Sequence, residues 1–65
     1  MINPSATKRV LVDVMSKGRG LQACYQGVML EVIGDSTPGR KYMNLRYSIA
    51  LDRYCLTPWT WMKLT

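Results

Sequence analysis

Tyr42-Met43-Asn44-Leu45-Arg46-Tyr47-Ser48-Ile49-Ala50-Leu51 decides the fold class of this chain. Read with a period of two, it separates into Met43, Leu45, Tyr47, Ile49 and Leu51 on one side and Tyr42, Asn44, Arg46, Ser48 and Ala50 on the other. Successive side chains of a strand point to opposite faces, so the pattern predicts one buried face and one that meets water or a partner. The expected wet face carries a tyrosine and an arginine, and Arg40-Lys41 stand just before it.

Before this strand, Gly34-Asp35-Ser36-Thr37-Pro38-Gly39 concentrates turn formers and reads as a loop. Val28 to Ile33 is apolar on both faces except at Glu31, as in a strand covered on both sides. Residues 28–33 and 41–51 are therefore expected to pair as an antiparallel hairpin. Gly27 interrupts the apolar segment from Leu21 to Ile33 and marks a bulge or bend. Lys17-Gly18-Arg19-Gly20 is a turn.

Residues 1–7 are short and polar and read as a flexible lead. Two readings compete over the segment that follows. Val10, Val12 and Val14 share one face of a strand. A helix over residues 4–17 would instead take Asn3 as its cap, Pro4 as its first residue and Gly18 as its stop. The valines favour the strand. Asp52-Arg53 is expected to turn or bend the chain, and Thr57-Pro58 to break it again. Trp59 to Leu64 closes as a short edge strand with Trp59 and Trp61 on one face. The whole reads as one small domain, residues 1–65: an all-β meander or barrel of four or five strands, with SH3-like or OB-like proportions. The alternative is α+β, with the helix packed on three strands.

Sixty-five residues bury only a modest core. Nine Lys/Arg against four Asp/Glu give a net charge of +5, which draws polyanions towards the surface. No apolar run approaches the roughly 20 residues that cross a bilayer, and residues 1–9 lack the apolar core of a signal peptide. No membrane partner and a cytoplasmic location are the expectation. In that setting Cys24 and Cys55, the two cysteines, read as reduced, buried thiols.

The chain contains no histidine, and its carboxylates Asp13, Glu31, Asp35 and Asp52 are far apart in sequence. General acid–base chemistry, a four-ligand zinc site and a phosphate-cradling loop all lack their parts. The expectation is a protein with no enzymatic activity, no metal and no cofactor.

Two binding functions fit. The first is a basic nucleic-acid-binding protein, its nucleic acid type open, using Lys17, Arg19, Arg40, Lys41, Arg46 and Arg53 on phosphates and Tyr42 as a stacking platform. The second is a protein-interaction module, an adaptor, inhibitor or regulator of the kind a phage or plasmid encodes. It would use an exposed strand and a surface containing Trp59 and Trp61, with a homodimer among its options.

Overall fold

The computed structural model describes residues 7–58. It contains five strands: β1 (Thr7–Lys17), β2 (Gly20–Tyr25), β3 (Val28–Glu31), β4 (Gly39–Ser48) and β5 (Arg53–Pro58). All neighbours in the sheet are antiparallel, in the order β3-β2-β1-β4-β5, and the sheet curls into a half-barrel. No described residue is helical, and none lies in a helix that could cross a membrane.

The helical reading of residues 4–17 fails over the part that is described. Val10, Val12 and Val14 are all buried on one face of β1, while Arg9, Leu11, Asp13 and Met15 are exposed. β-branched side chains pack well on a pleated surface and lose rotamer freedom in a helix. Thr7, assigned to the polar lead, opens β1 and faces Arg46; residues 1–6 lie outside the described part.

β1 does two jobs along its length. Thr7 to Val14 pair with β4, and Met15 to Lys17 pair with β2. The hand-over lets one strand serve both halves of the curled sheet. The core forms on the concave side, where Val10, Val12, Val14, Ala23, Met43 and Leu56 are buried together. Burying an aliphatic side chain of this size stabilises the fold by about 1.5–3 kcal/mol.

The expected hairpin between residues 28–33 and 41–51 does not form. β3 pairs with β2, and β4 pairs with β1. Gln26 and Gly27, with φ of 49° and 82°, join β2 to β3 as a two-residue turn. Positive φ at both central positions matches the right-handed twist of the flanking strands, so the bulge or bend expected at Gly27 is a tight hairpin turn. The Gly34–Pro38 loop instead carries the chain across to β4, as its composition predicts. β3 is also less covered than its sequence implies, with Val28 and Met29 exposed.

The strand read from Tyr42 to Leu51 ends at Ser48. Ile49 is 80% exposed and Leu51 is also exposed, because residues 49–52 turn the chain into β5. Asp52, at φ 55°, helps reverse the chain, and its carboxylate accepts a hydrogen bond from the Tyr47 hydroxyl. Nor does Thr57-Pro58 break the chain there; both belong to β5, where Pro58 stands opposite Met43. Pro58 can sit in β5 because this is an edge strand of the sheet, where one side of the backbone needs no ladder partner.

The two edges approach each other on the far side of the curl. Val32 bridges Leu56, and the Ile33 amide donates to the Leu56 carbonyl at 2.8 Å. Beside this bridge, Arg53 and Glu31 form an ion pair at 3.3 Å.

Candidate nucleic-acid interface

The ladder between β1 and β4 fixes which side chains share the convex face. Directly opposed residues point the same way, so Arg9 lies beside Asn44, Leu11 beside Tyr42, Asp13 beside Arg40 and Thr7 beside Arg46. The face therefore brings three arginines and a tyrosine together against one aspartate. The Arg9 guanidinium carbon lies 4.4 Å from the centre of the Tyr42 ring, a diagonal cross-strand contact. Cation–π attraction at an exposed site contributes about 0.5–1 kcal/mol and holds the planar fork over the ring. Tyr42 is still 50% exposed.

The basic and aromatic residues expected to bind do not all gather here. Arg40, Tyr42 and Arg46 share the face, with Arg40 exposed and Arg46 half-buried. Lys41 points to the opposite side, and its ammonium donates to the Thr37 carbonyl and, at 2.8 Å, to the Thr37 hydroxyl. Arg53 sits on β5 and clasps Glu31 across the seam, so its charge is partly spent within the fold. Lys17 and Arg19 are exposed at the β1–β2 turn, at the other end of β1 from Thr7. Trp59 and Trp61 lie outside the described residues.

Arg9 did not figure among the expected binding residues. Alternation with the buried valines places it on the outer face, but only the ladder register sets it against Tyr42.

The convex face is dry towards β5. Asn44, expected to be wet, has 0% exposure and donates from its amide to the Pro58 carbonyl at 2.8 Å. Its neighbours Thr57 and Cys55 are buried as well. Burial pushes the Cys55 thiol above its usual pKa, while Arg46, its cross-strand neighbour, pulls the other way. Cys24, expected to be buried, is exposed on β2; neither cysteine is in a disulfide.

A groove of about 790 Å³ opens on the concave side, between the β2–β3 hairpin and the β4–β5 hairpin. Tyr25, Leu30, Leu45, Tyr47 and Tyr54 line it. Tyr47 and Tyr54 meet edge to face with centroids 5.4 Å apart. The hydrogen bond to Asp52 raises the Tyr47 pKa above its usual value. Among the described residues, no three His, Cys, Asp or Glu side chains cluster as metal ligands.

No protein-family model, curated protein or solved structure matches the chain.

Proposed function

We propose that this protein binds single-stranded nucleic acid through the convex face of β1 and β4, without catalysing a reaction. The observation that carries this reading is the Arg9–Tyr42 stack, a half-exposed aromatic ring with a guanidinium over it and Arg40 on the same face. Guanidinium groups bind phosphate oxygens in pairs, and an aromatic face accepts any base by stacking. The net charge of +5 raises the local concentration of a polyanion.

The reading is tested by fluorescence anisotropy with labelled single-stranded and duplex DNA and RNA. Affinity should fall with salt, with a log–log slope of about −0.7 per phosphate neutralised on a single strand. Replacing Arg9 and Arg40 together by alanine should weaken binding and make that slope shallower by about 0.7 for each phosphate no longer neutralised. Circular dichroism should show the fold unchanged. Absence of binding to every probe at low salt would end this reading.

Exposed apolar side chains favour a second reading, the protein-interaction module. Leu11 and Met15 on β1, Val28 and Met29 on β3, and Ile49 at the β4–β5 turn all face solvent. Under that reading Ile49→Ser and Val28→Ser lose a bound protein, and nucleic acid affinity stays negligible throughout.

A further inference from the structure

The concave groove has a chemistry opposite to that of the convex face. Its walls are aromatic and aliphatic, and its acidic side chains are Glu31 and Asp52. Arg53 also lines it but is paired with Glu31. With Arg53 and Glu31 neutralising each other, the Asp52 carboxylate remains to disfavour a phosphate there. It favours an uncharged group that donates hydrogen bonds.

The volume falls within the range of about 300–1,000 Å³ typical of ligand pockets. Tyr25, Tyr47 and Tyr54 offer ring faces and edges to a flat ligand. Gln26, in the β2–β3 turn, adds an amide that both donates and accepts. The Asp52 carboxylate takes the Tyr47 hydroxyl and has lone pairs left for a second donor.

The groove and the convex face share strand β4. Leu45 lines the groove and stands opposite Lys8 on β1, and the next residues along, Thr7 and Arg46, lie on the convex side.

We propose that the concave groove is a pocket for one unpaired nucleobase bearing an exocyclic amine, held between the tyrosines with its amine facing Asp52. The inference rests on the nucleic-acid reading of the convex face and assigns the groove the task of base discrimination. Carboxylates accept from the amine of cytosine and find no such donor at the same position of uracil.

The test compares oligocytidylate with oligouridylate of equal length, alongside a titration of the wild-type protein with free cytidine followed by NMR. Oligocytidylate should bind about tenfold more tightly, the order expected for one good base-edge contact. Tyr54→Leu should erase that preference, whereas Arg40→Ala should weaken both probes equally and keep it. Cytidine should shift the resonances of Tyr25, Tyr47 and Tyr54. Equal affinity for the two probes, or no cytidine-induced shift at these tyrosines, would overturn the pocket while leaving the convex reading intact. Failure of every oligonucleotide to bind would overturn both. The cytidine titration needs no variant, so it decides the matter even if Tyr54→Leu does not fold.

Discussion

β1, β4 and β5 on one side of the half-barrel, and the β2–β3 hairpin on the other, are built to different standards. β1 and β4 pair over eight residues and bury Val10, Val12, Val14 and Met43 between them and β5. β2 and β3 pair over four, bury Ala23, and leave Cys24, Val28 and Met29 in solvent. The first group supplies the rigid frame. The second forms one wall of the groove and is tied across it by the Val32–Leu56 bridge and the Arg53–Glu31 pair. Stability and openness are thus assigned to different parts of a very small chain.

The contrast breaks most decisively if core substitutions fail to separate the two parts. Leu56→Ala or Met43→Ala should cost about 2–5 kcal/mol in urea denaturation, because both side chains are fully buried. Val28→Ala, at an exposed position, should stay within about 0.5 kcal/mol. Similar losses from both would mean that the hairpin is as tightly packed as the frame.

Hydrogen exchange sharpens the same comparison. Amides of β1 and β4 should exchange only on global opening, and those of β3 earlier, since few buried side chains hold it. Uniform protection across the sheet would contradict this.

Alkaline pH should weaken the frame and the groove together. Cys55 and Tyr47 both have pKa values raised by folding, the first by burial and the second by its hydrogen bond to Asp52. The stability each adds is fully present below its ordinary pKa, near 9 for the thiol and 10 for the phenol. It is lost as pH rises through the higher folded value. A melting temperature that declines above about pH 9, less steeply in Cys55→Ala, is the expected result. A small effect is also expected at the seam. Both side chains of the Arg53–Glu31 pair are about half exposed or more, so Glu31→Gln should cost about 0–1 kcal/mol, less at high salt.

Several elements were legible in the residues. The inward face of Met43, Leu45 and Tyr47, the valine face of β1, the Lys17–Gly20 turn and the loop expected over Gly34–Gly39, whose last residue opens β4, were readable because each depends on local periodicity or turn chemistry. The misreadings have one origin. Ile49 continues the alternation yet is exposed, since a period of two says nothing about where the chain must turn. Asn44 falls on the polar side yet is buried, since side-chain polarity cannot show that the Pro58 carbonyl lies within reach. Val28–Ile33 and the strand from Gly39 are adjacent in sequence but belong to different halves of the sheet.

The candidate site shows the same division. The sequence alone favoured an all-β chain over α+β and determined its excess positive charge, a tyrosine and arginines along one expected strand, and the lack of histidine. Those properties follow from residue type and nearest neighbours. Only the tertiary structure decided that β4 pairs with β1, and from this come Arg9 over Tyr42, Lys41 turned away to Thr37, Arg53 drawn to Glu31 and a groove between two hairpins. The physical reason is that strand pairing is a contest among non-local hydrogen-bond ladders, won by the register that buries Val10, Val12, Val14, Met43 and Leu56 at once.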